Sequence, residues 1–322
     1  MNNRKLFVSS HAPYWHSRRS ISGRSYHIML AALPALAMGF YHYGIQAIGM
    51  VALSVSSAII WELLMNILMK RPTTIGDGNA ALIGLLFAML LPATTPWWII
   101  LVGTFVAVVV GKQIFGGLGC NPLNPSLVAL AILLLSWGSL LDFDTRLVNY
   151  DLPFHMAHPL TALKNFGIPA VPNYSLFGLF MGKQSGGVGT TFGLGLVIGG
   201  LFLIWRGHIR WEISFSFLVG VFVTALLFNL SDPGQYAGPV FHLLTGYTLF
   251  GAFFLATEDS SSPVNFIPML IYGACAGVLT VLIRNIGFFE DGVVFAILML
   301  NVANPLLDKI RPKALGRGME HA

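Results

Sequence analysis

Long apolar runs, separated by short polar or glycine-rich breaks, make up most of this chain of 322 residues. A helix needs about 20 apolar residues to cross roughly 30 Å of hydrocarbon. Runs close to that length lie at 26–43, 46–69, 78–95, 96–113, 124–141, 190–205, 211–230, 238–256, 265–283 and 291–306. The pattern therefore predicts an all-α integral membrane protein with about ten transmembrane helices.

The composition agrees with this pattern. Hydrophobic residues make up 55% of the chain, charged residues 10%, and the mean hydropathy is +0.74. Such values exclude a soluble globular protein. The net charge of +5 then reflects membrane topology, and we do not expect nucleic acid as a partner.

The basic residues indicate which side of the membrane each connection faces. With ten spans, both chain ends lie on one side. Most of the 18 Lys and Arg residues fall in the terminal segments or after even-numbered spans, and the four others are Arg146, Lys164, Lys183 and Arg284. By the positive-inside rule, both termini are predicted to be cytoplasmic.

The two halves of the chain resemble each other. Leu82-Ile83-Gly84 is echoed by Leu244-Thr245-Gly246, and Lys112 before a Phe-Gly pair is echoed by Arg284 before an Ile-Gly pair. Five spans per half would make the repeats inverted. The predicted division is a cytoplasmic arm 1–25, a first five-helix repeat 26–142, an extracytoplasmic loop 143–189, a second repeat 190–307 and a cytoplasmic tail 308–322.

The stretch 111–125 is dense in glycine and proline and carries a single cation, Lys112. Non-helical backbone at membrane depth is tolerated where it is buried in protein or lines a polar cavity. The stretch is either a re-entrant loop or a functional site. Lys112 and Arg284 would each complement a helix C-terminus or hold an anionic or electron-rich group.

Two acidic residues lie at or within apolar runs. Glu62 is inside the second run, and Asp77 precedes the third in Asp77-Gly78-Asn79. An acid at such a depth faces protein or water. Glu62 is a buried hydrogen-bonded carboxyl or part of an ion path, and Asp77 is a helix cap or a second ion-path candidate.

No metal site and no catalytic residue is predicted. Cys120 and Cys275 form no CxxC pattern, and His155 and His158 have no third ligand nearby. Any redox cofactor of the chain would be organic.

The glycine-rich run Gly186-Gly187-Val188-Gly189-Thr190-Thr191-Phe192 opens the sixth span. Free N–H groups of a glycine turn at a helix start suit a phosphate group. A flexible turn with threonine caps explains the same residues without a ligand.

The order of these motifs, above all the stretch from Lys112 to Pro125, resembles the RnfD family, the D subunits of Rnf ion-translocating oxidoreductases. Further matches are Asp77-Gly78-Asn79-Ala80, Ser262-Pro263-Val264, Ile283-Arg284 and Phe295 to Asn301. The NqrB proteins of sodium-translocating NADH–quinone reductases belong to the same family. The resemblance covers nearly the whole chain.

The resemblance implies a covalent FMN, joined by a phosphoester to a threonine on the outer face. The family's Gly-x-x-Gly-Glu-Thr-Ser pattern aligns Gly186 and Gly189 with its glycines and places the acceptor at Thr191, with Thr190 as the alternative acceptor. This chain departs from the pattern at Thr190, where the family has Glu, and at Phe192, where it has Ser. A second, non-covalent flavin is also considered.

The expected function is that of a membrane subunit in a ferredoxin–NAD type electron-transport complex of the bacterial inner membrane. It would relay electrons through FMN, coupled to Na⁺ or H⁺ translocation, and would not be catalytic alone. The other subunits and the lipid bilayer are its expected partners. The alternatives are a channel or secondary transporter without a redox cofactor, and a flavin-free scaffold subunit of the same complex.

Overall fold

The computed structural model describes residues 20–310. The described chain is helical and contains no strand. In order, the α-helices are α1 (Ile21–Leu68), α2 (Asn79–Leu90), α3 (Trp97–Phe105), α4 (Pro125–Trp137), α5 (Phe143–Arg146), α6 (Pro159–Phe166), α7 (Leu176–Phe180), α8 (Gly193–Trp205), α9 (Trp211–Ser231), α10 (Pro239–Leu244), α11 (Thr248–Phe250), α12 (Phe266–Ile286) and α13 (Val293–Leu307). Short 3₁₀ turns lie at Ile75–Asp77, Gly138–Leu140 and Ile168–Asn173.

Helices occupy each of the ten predicted apolar segments. Three of them, α1, α9 and α12, are long and apolar enough to cross a membrane by themselves. The helical segments at the remaining positions are shorter. Of the predicted arm and tail, residues 1–19 and 311–322 lie outside the described residues.

The first two predicted segments form one broken helix, α1. Gly44, at its middle, has φ +63° and ψ −145°, a conformation that L side chains avoid. The break falls between the predicted runs 26–43 and 46–69, so the two predicted helices are confirmed.

Two helices change their winding near their ends. The helix begun by α3 continues as a π-helix over Val106–Gln113, and α11 continues as a π-helix over Gly251–Leu255. Within the predicted run 238–256 the helix is interrupted at Thr245–Tyr247, where Gly246 has φ +65°. Short π-helical turns such as these two are frequent at functional sites.

Small residues bring α9 and α12 together. A Cβ atom at Gly277 of α12 would collide with the Phe217 carbonyl oxygen, and one at Gly220 of α9 would collide with the Ala274 carbonyl oxygen. Backbone contact of this kind is the usual way in which membrane helices associate. A continuous apolar core runs through both halves of the bundle.

Side-chain contacts group the connections between helices into two faces of the bundle. We call the one that contains the described chain ends, near residues 20 and 310, the terminal face, and the one that contains the connection 143–189 the loop face. On the terminal face, Arg24 donates to the His208 carbonyl at 3.0 Å and Arg71 to the Gly116 carbonyl at 3.2 Å. On the opposite loop face, Thr94 donates to the Arg146 carbonyl at 2.6 Å and Tyr247 to the Leu90 carbonyl at 3.0 Å. The grouping agrees with the predicted sidedness, and the assignment of the terminal face to the cytoplasm stays a prediction.

Candidate functional site

A cavity of about 240 Å³ lies near the terminal face, where the two halves of the chain meet. The stretch 118–126 forms one wall, and the opposite wall comes from the end of the π-helix and the turn after it, 253–260. The apolar side chains of the lining include Ile28, Leu82, Ile83, Leu86, Leu203, Phe253 and Phe254.

Amide and carboxyl groups hold the two walls together. Asn121 Nδ2 donates to Glu258 Oε1 at 2.9 Å, and Asn124 Nδ2 donates to the Leu255 carbonyl at 3.0 Å. Glu258 Oε2 accepts the Ser261 amide at 3.1 Å and also the Ser261 hydroxyl. Asn124 also caps α4, because its Oδ1 accepts the Ser126 amide at 3.1 Å. The asparagines of Asn121-Pro122 and Asn124-Pro125 therefore connect the first half of the chain to the second.

Burial raises the pKa of the Glu258 carboxyl, while hydrogen bonds from Asn121 and Ser261 oppose that shift. Asn121 lies in the candidate stretch 111–125 without having been singled out within it, and Glu258 was not predicted. The signal was present in the sequence, because Thr257-Glu258-Asp259 places two acids directly after an apolar run. No local sequence pattern could predict their contact, because Asn121 and Glu258 are 137 positions apart.

Glu62 lies in a second polar cluster, enclosed by α1 and the helix that α3 begins. Its Oε1 accepts Lys112 Nζ at 2.8 Å, Thr74 Oγ1 at 2.7 Å and Gln113 Nε2 at 3.3 Å. Glu62 is 0% and Lys112 1% exposed. The other carboxylate oxygen, Oε2, is buried without a hydrogen-bond partner among the described residues. Glu62 is therefore a buried, hydrogen-bonded carboxyl, one of the two roles considered from the sequence, and one of its two oxygens has no hydrogen-bond partner among the described residues.

Asp77 is not part of this cluster. Its Oδ1 accepts the Asn79 amide at 2.8 Å, directly at the start of α2. The N-cap residue is Gly78, which has no side chain, and the Asp77 carboxylate satisfies the first amide of the helix from the position before it. Asp77-Gly78-Asn79 thus forms the helix start considered from the sequence.

The glycine-rich run packs against the end of α2 on the loop face. The Val188 amide donates to the Leu91 carbonyl at 3.1 Å, and the Gly189 amide donates to the Met89 carbonyl at 3.0 Å. A Cβ atom on Gly187 would lie 2.6 Å from the Met89 carbonyl oxygen, so this position requires glycine. Backbone N–H groups expected to be free for a phosphate are thus used within the protein.

Both threonines of the run are buried, Thr191 with 3% and Thr190 with 5% of its surface exposed. Thr190 Oγ1 donates to the Gly187 carbonyl at 3.3 Å. The Thr191 hydroxyl makes no hydrogen bond to any described residue, although its carbonyl accepts Gln184 Nε2 at 3.1 Å. The chemistry of an unpaired hydroxyl at the start of α8 fits a phosphoester, although only 3% of the Thr191 surface is exposed to an attaching enzyme.

Arg284 stabilises the interrupted helix of the second half. Its Nη1 donates to the His242 carbonyl at 2.8 Å and its Nη2 to the Thr245 carbonyl at 3.2 Å. Both carbonyls lie at the break and also accept the Thr248 hydroxyl, at 2.9 and 3.0 Å. Asp291 accepts Arg284 Nη2 at 2.9 Å and the Tyr247 amide at 2.6 Å. Arg284 therefore binds carbonyls at a helix C-terminus, as one of the two sequence hypotheses has it, although the helix is α10 and not its own.

The predicted site residues fall into separate places. Glu62 and Lys112 are in direct contact near the terminal face, while Arg284 and the glycine-rich run lie on the loop face. Gln184 joins the last two, because its Nε2 donates to both the Thr191 carbonyl and the Leu244 carbonyl, the latter at 3.0 Å.

Of the two loop histidines, His158 is 3% exposed and stacks on Phe143 with ring centroids 5.0 Å apart. Burial lowers its pKa to about 4. His155 contacts Tyr174, whose hydroxyl lies 3.2 Å from His155 Nδ1. Among residues 20–310, no group of three or more His, Cys, Asp or Glu side chains could hold a metal ion.

Comparison with known proteins gives consistent matches over nearly the whole chain. The family model described as NQR2, RnfD, RnfE matches residues 8–316. The D subunit of the Na⁺-translocating ferredoxin:NAD⁺ oxidoreductase complex of Acetobacterium woodii is 37% identical over 311 residues, which are 96% of this chain and 94% of that protein. The D subunit of the ion-translocating oxidoreductase complex of Cronobacter sakazakii is 33% identical, over 97% of this chain and 99% of that protein. Its Escherichia coli counterpart is 32% identical, with the same coverage.

Proposed function

Because the chain belongs to the NQR2, RnfD, RnfE family, we propose that it is the D subunit of an ion-translocating ferredoxin:NAD-type oxidoreductase complex in a bacterial inner membrane. The observation that carries this proposal is the 37% identity, over 96% of the chain, to a protein of such a complex. The fold supports it with a helical bundle in two halves that meet at a mainly apolar cavity with amide and carboxyl groups in its walls. The other subunits would supply and remove electrons.

The covalent cofactor of the proposal is FMN on Thr191. FMN, when bound, would supply the reversible one-electron redox chemistry that an electron relay requires. The support is the unpaired Thr191 hydroxyl, the start of α8 beside it, and Gln184, which fixes the Thr191 main chain. Thr190 is the alternative acceptor, and its hydroxyl would first have to leave the Gly187 carbonyl.

The second flavin of the proposal is non-covalent and lies in the cavity between the halves. An isoalloxazine ring has a flat apolar body and a polar edge with donors and acceptors. Phe253, Phe254 and Leu82 offer apolar contact, and Asn79 and Asn121 line the same space with amides. These side chains would hold the ring and exclude water from it.

A Leu82→Trp variant tests the cavity, because the larger side chain would fill it. We expect the non-covalent flavin, released by denaturation and measured by fluorescence, to fall to background while covalent flavin is retained. Leu64→Trp is the control, because Leu64 is 41% exposed on α1. Unchanged flavin release from a folded Leu82→Trp complex would reject this site.

Glu62 and Asp77 are the proposed ion-path residues. The buried Glu62 carboxylate, with one oxygen unpartnered, supports Glu62 more strongly than the capping geometry supports Asp77. In membrane vesicles, Glu62→Gln should lower ion uptake per electron transferred, because the variant lacks the negative charge. Equal coupling in Glu62→Gln and wild-type complexes would remove Glu62 from the path.

The burial of the acceptor segment favours a second candidate function, a flavin-free scaffold subunit of the same complex. In-gel flavin fluorescence of the wild-type and Thr191→Ala subunits separates the two. Fluorescence that disappears in the variant supports the electron carrier. A dark wild-type subunit in an active complex supports the scaffold, and a dark subunit that conducts ions without any electron donor supports a channel.

A further inference from the structure

A second groove opens at the terminal face, between the start of α1 and the end of α8. Its volume is about 440 Å³, and it is lined by Ser20, Gly23, Arg24, His27, Trp205, Arg206 and His208. This lining contains no acidic side chain. The groove is a basic pocket at one end of two apolar helices.

Arg206 is the dominant charge of the groove. It is exposed, and its Nη2 lies 2.9 Å from His27 Nε2, which therefore accepts from the guanidinium. No carboxylate pairs with Arg206 among the described residues, whereas Arg24 forms an ion pair with Asp259. The groove thus keeps a net positive charge, because arginine is protonated at any physiological pH.

An apolar strip continues the groove along both helices. On α1, Leu30 follows His27 by three residues and is 53% exposed. On α8, Leu201 and Ile198 precede Trp205 by four and seven residues, and they are 57% and 53% exposed. Residues at these spacings share a helix face. His27 and Phe202 have ring centroids 6.1 Å apart, which places the two strips side by side.

We propose that this groove binds an anionic phospholipid. The headgroup phosphate would lie against Arg206 and Arg24, and the acyl chains would follow Leu30, Leu201 and Ile198 into the hydrocarbon. Trp205, 81% exposed at the end of α8, would lie at the membrane interface, which indole rings favour. Charge selects the headgroup, and the apolar strip selects a lipid over a free phosphate. The proposal holds with or without a flavin on the subunit.

Native mass spectrometry of the purified complex tests the affinity. We expect phosphatidylglycerol to be retained in preference to phosphatidylcholine, and Arg206→Gln to lower that retention about fivefold, the usual effect of one interfacial basic residue. Lys70→Gln is the matched control, because Lys70 is a cation of the same face outside the groove. Glycerol phosphate, which has the headgroup charge without acyl chains, should not compete.

Equal loss in Arg206→Gln and Lys70→Gln would overturn the proposal, because retention would then follow net charge alone. Competition by glycerol phosphate would also overturn it, since the site would then bind free phosphate.

Photo-crosslinking identifies the occupant directly. A benzophenone amino acid in place of His27 should give a lipid adduct in membranes. An adduct with residues 1–19 of this chain, or with another subunit, would show that protein fills the groove and would contradict the lipid assignment.

Discussion

Lys112 is a fully buried lysine whose ammonium group lies 2.8 Å from Glu62 Oε1. The sequence predicted the importance of both residues, because charges in apolar runs need a partner. It did not predict that they pair with each other, since 50 positions separate them. At the residue scale, the interpretation of Asp77 as a cap and of Arg284 at a helix C-terminus agrees with the structure. The expectation of free backbone N–H groups in the glycine-rich run does not.

A double-mutant cycle tests the buried pair. Lys112→Met should lower the free energy of unfolding by about 3 kcal/mol or more, because it leaves the Glu62 carboxylate buried without its cation. Adding Glu62→Gln to Lys112→Met should recover part of that loss. The control Lys70→Met should change the free energy of unfolding by less than about 0.5 kcal/mol. Thermal unfolding in detergent measures all of these variants. Strictly additive losses would mean that the two side chains do not interact.

The lowered pKa of His158 predicts that the stability of the protein depends on pH. Its pKa in the folded protein, about 4, lies below the ordinary value of 6.5, so the unfolded chain binds the extra proton between these values. Stability should therefore fall as the pH drops from 6.5 towards 4, and should be at its full value above 6.5.

The check on His158 is the melting temperature of wild type and His158→Gln across this pH range. The Gln variant should lose less stability on acidification, while carboxyls such as Asp144 and Glu290 contribute equally to both proteins. Parallel pH profiles would show that His158 does not titrate as described.

At the scale of helices, hydropathy predicted the regular elements well. The runs 211–230 and 265–283 correspond to α9 and α12 with differences of about three residues or fewer at each end. The break between α10 and α11 was not predicted, because its stability comes from Arg284 and Asp291, which lie 39 and 44 positions from their partners Thr245 and Tyr247. Nor does hydropathy distinguish a π-helix from an α-helix, as in Val106–Gln113.

Helix packing gives a prediction at this scale. Gly277→Ala should destabilise the protein by about 1–3 kcal/mol, because the methyl group would collide with the Phe217 carbonyl oxygen. Gly49→Ala on α1 is the control, since a Cβ atom there meets nothing within 4 Å and alanine favours helix. Thermal unfolding of the two variants should separate them clearly. A Gly277→Ala protein as stable as the control would show that α9 and α12 do not approach so closely.

On the scale of the whole molecule, the two halves meet at the cavity that Asn121 and Glu258 close. The internal similarity of the chain predicted two halves, and the inverted arrangement of five spans each stays a prediction. The cavity itself could not be predicted, because it depends on pairings between the halves that no local pattern contains.

Membrane sidedness gives a prediction for the whole molecule. In a background with Cys120 and Cys275 replaced by serine, cysteine at Lys183 should react with an impermeant maleimide in intact spheroplasts. Cysteine at Arg71 should react only after permeabilisation, because basic connections stay in the cytoplasm. Both positions are exposed in the structure. The reverse labelling would invert the proposed orientation.

The most direct test of the proposed electron carrier is mass spectrometry of the peptide that contains Thr190 and Thr191, taken from the native, active complex. We predict a peptide heavier by FMN less one water, with the modification on Thr191 and absent from the Thr191→Ala subunit. A fully unmodified peptide from a complex that still transfers electrons would contradict this account.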